Sequence, residues 1–190
     1  METLSFSITG TSPMIPHNGQ LADPLNEWTK KISAISSKRH KVESDLEEMA
    51  RLEFLGSLYL NGGEPCIPQT VIEGCLVGKG GASRKLRAGV TVQAAVFCEG
   101  PLPLEYDGPR APLDLWADAR FRLRVAVKVG QAKVMRTRPI FEEWAASGSL
   151  AYNPDLVNAE SLRDWLKLAG SEVGIMDWRP KFGRFTVKFD

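Results

Sequence analysis

Hydrophobic and polar residues alternate along four stretches of the chain with the period of two that a strand with one buried face requires. In 3–9, Leu4, Phe6 and Ile8 alternate with Ser5 and Ser7; in 121–129, Phe121, Leu123, Val125 and Val127 alternate with Arg122, Arg124, Ala126 and Lys128. A run at 133–141 follows after Gly130, and Phe185, Val187 and Phe189 alternate with Arg184, Thr186 and Lys188 in 184–189. A shorter strand-like run covers 90–97. The helical period appears in 24–38, where Asp23 and Pro24 read as a cap and first turn before Trp28, Ile32 and Ile35. It appears again from Ser44, with Leu46, Met49, Ala50 and Glu53 on one stripe, and in 159–173, where Asn158 caps a stripe of Leu162, Trp165, Leu166, Ala169 and Val173. A short helix is entered through Pro68 and broken by the glycines at 78–81. Two irregular stretches, the proline-bounded 12–19 and the proline-rich 101–112, leave the regular pattern.

With 61–118 set aside as an insertion into a single domain spanning 1–190, the order is strand, helix, strand, strand, helix, strand. That is the order of the split βαβ, so the expected class is α+β, a ferredoxin-like or RRM-like antiparallel sheet with two helices on one face. The strands at 3–9, 121–129, 133–141 and 184–189 are expected in one sheet backed by the helices at 24–38 and 159–173. The register between the middle strands decides where the charges go. A two-residue turn at Gly130-Gln131 sets Arg136 and Arg138 opposite Val125 and Leu123 on the apolar side, where an unpaired charge costs several kcal/mol. A three-residue loop at 130–132 moves both to the side of Arg122, Arg124 and Lys128, and is the expected register because it turns Met135 and Thr137 inward instead.

Composition narrows the class further. Of 190 residues, 25% are charged and 43% hydrophobic, the balance of a folded globular chain and not of a disordered or fibrous one. A net charge of only +1 means that affinity for a polyanion must come from clustering. The three cysteines, Cys66, Cys75 and Cys98, match no zinc spacing and lie far in sequence from His17 and His40, so they read as buried thiols, and neither a metal nor a cofactor is expected. No apolar run reaches membrane-spanning length and residues 1–8 lack the pattern of a signal peptide, which together point to a cytoplasmic protein with no membrane partner.

Charge is clustered. The segment 119–141 holds seven basic residues, Arg120, Arg122, Arg124, Lys128, Lys133, Arg136 and Arg138, and no acidic one. A second group, Trp178, Arg179, Lys181, Phe182 and Arg184, interleaves aromatics with cations in a loop bounded by Gly174 and Gly183. Aromatic rings stack on bases while guanidinium and ammonium groups neutralise phosphate, so this mixture suits single-stranded nucleic acid. A third group, Lys79, Arg84, Lys85 and Arg87, follows the glycine-broken helix. The acidic run Glu43, Asp45, Glu47 and Glu48 reads as a solvated helix face. Enzymatic signatures are missing: 74–80 lacks a spacer residue and the hydroxyl of a phosphate loop, and no nucleophile elbow or His-Glu-x-x-His pair occurs. His17 is the one isolated candidate for proton transfer.

Three motifs resemble the RAMP superfamily, in particular the RRM-like backbone subunits of CRISPR RNA-guided effector complexes. They are the loop carrying Pro13, Pro16, His17, Asn18 and Gly19; the helix entry from Ile67 through Pro68, Thr70 and Ile72 to Gly74; and the Gly183, Arg184, Phe185 run. The segment from Met135 to Trp144 also looks like that of small phage and prophage proteins. The resemblance implies an RRM-like palm, RNA along a basic surface and head-to-tail stacking of protomers into a homo-oligomer or with related subunits. The expected function is therefore non-catalytic binding of single-stranded RNA by the fifteen cations and aromatics of the three groups other than Arg120. The alternative is a phage-type assembly component whose basic face meets an acidic protein.

Overall fold

The computed structural model describes residues 1–88 and 90–189, and it is an α+β protein with antiparallel sheets. In chain order the elements are β1 (Glu2–Gly10), α1 (Glu27–Ser36), α2 (Glu43–Ser57), β2 (Leu60–Asn61), β3 (Glu64–Ile67), α3 (Gln69–Leu76), α4 (Ala82–Lys85), β4 (Val96–Cys98), β5 (Leu102–Pro103), α5 (Pro112–Ala117), β6 (Arg122–Val129), β7 (Ala132–Pro139), β8 (Ala145–Tyr152), α6 (Ala159–Leu168) and β9 (Phe185–Phe189). The main sheet runs β4-β8-β1-β9, every neighbouring pair antiparallel. Its inward positions, Leu4, Phe6 and Ile8 on β1, Leu150 on β8 and Phe185 on β9, share one core with Ile72, Cys75 and Leu76 of α3 and Leu162, Trp165 and Leu166 of α6. The opposite face carries Ser5, Ser7, Thr9, Ser147, Ser149, Thr186 and Lys188.

The expected four-strand sheet is corrected here. Among the described residues β6 and β7 pair only with each other and form a separate two-stranded sheet, while β8 takes the place beside β1 in the main sheet, with β4 outside it. The 61–118 segment, expected as an insertion, supplies β4 and the covering helix α3. α1 has no buried residue and lies along α2 instead of backing the sheet. Its cap also differs: Asp23 accepts from the Leu25 amide in the preceding turn, and Asn26 caps α1 by accepting from Trp28 N at 2.9 Å. The strand-like run at 90–97 divides into a 3-10 turn over 90–94 and the short β4. α2 and α3 form where the pattern places them, and α6 does so with Asn158 as its cap, although its α-helical part ends at Leu168 and a π turn covers Ala169–Val173; α4 and α5 are not among the expected elements. Among the described residues, no helix is long and apolar enough to cross a membrane.

Candidate nucleic-acid interface

The β6–β7 hairpin is joined by a two-residue turn, Val129 pairing with Ala132 and Gly130 taking φ +59, which a glycine adopts without the penalty of a side chain. This overturns the three-residue register. Val125 pairs with Arg136 and Leu123 with Arg138, so both arginines lie on the apolar side of the hairpin. The penalty attached to that register is avoided because each arginine finds a carboxylate. Arg136 donates to Glu53 of α2, whose second oxygen accepts from Thr137 N at 3.0 Å. Glu53 is only 7% exposed, and this clamp ties β7 along α2. Arg138 pairs with Asp177, and its guanidinium lies 5.5 Å from the centroid of Trp178. Arg138 is deeply set, and burial lowers its pKa from the ordinary value.

The other side of the hairpin carries Arg122, Arg124, Lys128 and Lys133, all exposed. None of the four has an ion-pair partner among the described residues. Arg122 lies over the Trp116 ring at 4.9 Å, and Arg120, just before the strand, is occupied by Asp118 at 2.7 Å. Four uncompensated cations on one exposed strand face form a field that mobile anions or a polyanion must screen.

At the base of the hairpin sits the 174–183 loop. Gly174 and Gly183 take φ +71 and +73, and a side chain on Gly183 would collide with the Ile175 carbonyl. The loop is fastened to the 12–19 segment: Gly183 N donates to Pro13 O at 2.8 Å and Asp177 N to Ile15 O at 3.1 Å. Trp178 is half-buried, so it is not the core plug that Trp165 is, and it packs against Phe182 with centroids 5.9 Å apart. Its φ of +56 is a left-handed conformation that costs a bulky residue about 1–3 kcal/mol and that clusters at functional positions.

Hairpin, loop, α1 and α2 enclose a groove of about 710 Å³ that brings Lys128, Arg136, Arg138 and Trp178 together with His17 and Asp177. His17 lies 3.7 Å from Asp177, yet its pKa is lowered from 6.5, by burial first and then by Arg138 and Arg136.

The remaining candidate residues divide. Arg179 is exposed and lines a smaller pocket of about 270 Å³ with His17, Tyr59 and Thr70. Lys181 and Arg184 line a separate bowl of about 620 Å³ shared with Lys85, which also approaches Glu172 to 3.5 Å. Arg84, Arg87 and Lys79 line neither the groove nor the bowl; the Arg84 Nε is buried without a hydrogen-bond partner among the described residues, and Arg87 has φ +61. The sequence pattern did not point to Glu53, Asp177 or Trp116. Glu53 alone left a signal, as a carboxylate on an otherwise apolar helical stripe.

Burial raises the pKa of all three thiols, that of Cys75 to about 12, so they stay protonated at neutral pH. Among the described residues, no group of three or more His, Cys, Asp or Glu side chains is placed to hold a metal ion. Compared with known proteins, the chain matches no family model, and no curated protein is significantly similar to it.

Proposed function

We propose that the protein binds single-stranded nucleic acid, RNA by preference, without catalysis of its own. The observation that carries the reading is the uncompensated face of the β6–β7 arm, Arg122, Arg124, Lys128 and Lys133, standing beside a groove that presents a half-exposed Trp178. Phosphates along a flexible strand meet the cations, and a base stacks on the indole, which is the division of labour single-strand binding uses. Arg136 and Arg138 take a part other than the phosphate neutralisation expected of them: they brace the arm against Glu53 and Asp177 and contribute residual positive potential to the groove.

The strand order β4-β8-β1-β9, with α3 and α6 packed into the core of one sheet face, supports a ferredoxin-like palm, the architecture implied by the resemblance to RAMP backbone subunits. On that reading the protomers assemble head to tail along a shared RNA, and a small phage-encoded relative is the nearest description. The direct test is purification at low salt with the ratio of absorbance at 260 and 280 nm followed through a nuclease step. A raised ratio that falls with ribonuclease supports the proposal. A protein-like ratio throughout, with capture of an acidic protein, favours the assembly alternative.

A further inference from the structure

The arm closes a second cleft, of about 670 Å³, between α2, α5 and the start of β6; its lining shares only Thr137 with the Trp178 groove. Its walls carry opposite charge, Glu47 and Glu48 from α2 against Arg122 and Arg124 from β6. Glu48 is satisfied within its own helix, accepting from Arg51 Nε and Nη2 at 2.7 Å each. Glu47 is exposed, and among the described residues neither it nor Arg124 has an ion-pair partner. Trp116 completes the cleft, held edge-on by Phe54 at 5.4 Å and covered by the Arg122 guanidinium at 4.9 Å.

A phosphate site alone has no use for a free carboxylate on its wall, since the carboxylate repels the ligand. A ligand that satisfies this cleft needs three things: a flat π-face for the guanidinium and indole, an anion for Arg124, and N–H donors for Glu47. A nucleotide has all three. Among the four RNA bases only guanine offers two adjacent donors, N1–H and the N2 amine, on its Watson–Crick edge, matching the two oxygens of one carboxylate. Adenine and cytosine set one donor beside an acceptor, and uracil has one N–H between two carbonyls.

We infer that this cleft is a guanine subsite: the base lies on the Arg122–Trp116 platform, Glu47 accepts from N1 and N2, and Arg124 takes the adjoining phosphate. The inference rests on the arm being a nucleic-acid surface, although a free guanosine nucleotide carries the same chemistry.

The test uses the full chain and labelled oligouridines of about twelve nucleotides, within the span of known single-strand sites, either unbroken or with one central G, A or C. Titrations of free GMP and AMP run in parallel. The strand with G binds on the order of ten-fold tighter than the other three, as a two-bond carboxylate contact implies, and Glu47→Gln levels the four, because a carboxamide offers one acceptor and one donor. A melting curve shows that the variant is folded. Equal affinity for the four strands with steep salt dependence overturns the subsite and leaves the arm reading standing; so does a G preference that survives Glu47→Gln. Binding of GMP that disappears in Glu47→Gln, with no strand bound at all, supports the subsite and overturns the strand reading instead.

Discussion

The main sheet and the β6–β7 arm are written in the same alternating code, and they use it for opposite ends. In the sheet, alternation sends Leu4, Phe6 and Ile8 into a core and leaves a hydroxyl face whose few acids are occupied, Glu99 with Ser149 at 2.6 Å and Glu105 with Ser147 at 3.5 Å. In the arm, Leu123, Val125 and Val127 are only half-buried, and the face opposite them is cationic. A two-stranded hairpin is marginal in water by itself. The arm persists because its root is fastened, by Phe121 against Phe141 at 5.6 Å, by Glu53 on Arg136 and Thr137, and by Asp177 on Arg138. Root and outer face thus divide the work: the buried Glu53 and the half-buried Asp177 hold the arm in place, and among the described residues the outward cations have no ion-pair partners.

The largest effect expected from breaking this contrast is on the sheet side. Trp165→Ala, at a residue 6% exposed on α6, should cost about 3–5 kcal/mol of folding free energy in chemical denaturation. Its counterpart Trp178→Ala should leave the denaturation midpoint nearly unchanged and weaken single-strand binding by about 1–3 kcal/mol, read by anisotropy titration. An early melt with normal binding would make the 174–183 loop architecture.

Glu53→Ala tests the root. It leaves the Thr137 amide, in a residue 4% exposed, without an acceptor, at about 2 kcal/mol. Hydrogen exchange should localise the loss to β6 and β7, with the main sheet protected as before. A uniform loss of protection would show that arm and sheet unfold as one unit.

How much of this the sequence disclosed follows from the same contrast. β1, β6, β9 and α6 were legible because large apolar residues mark their buried positions. β8 was not, since two of its inward positions are Ala146 and Gly148. Gly148 faces Phe6 across the strand pair, and a Cβ there would come within 2.8 Å of Leu102, so neighbouring side chains already fill the space that a visible pattern would need. The hairpin register went wrong for a different reason. Local pattern treats Arg136 as an unpaired charge, and its partner Glu53 stands 83 residues away in sequence. The cations of the arm were visible; which of them are free was not, because that depends on acids brought in by tertiary packing.

A smaller effect concerns His17. Its folded pKa is depressed, so as pH falls below 6.5 the unfolded chain takes up the proton first and stability declines until the folded pKa is passed; above 6.5 the contribution is level. An NMR titration should find its midpoint below 6.5, and His17→Gln should flatten the dependence of stability on pH in that window. A midpoint above 6.5 would mean that Asp177, and not burial and the two arginines, governs the ring.

The most direct measurement of the central claim is the salt dependence of binding to a single-stranded RNA without sequence preference, in the wild-type chain and in a variant with Arg122, Arg124, Lys128 and Lys133 all replaced by alanine. Each phosphate that no longer meets a cation lowers the slope of log K against log salt by about 0.7 on a single strand, so removing all four cations should flatten it by about 3. Arg136→Ala should change the slope little, because that arginine is paired with Glu53. A slope unaltered in the four-alanine variant would contradict the account and place the RNA-binding surface elsewhere.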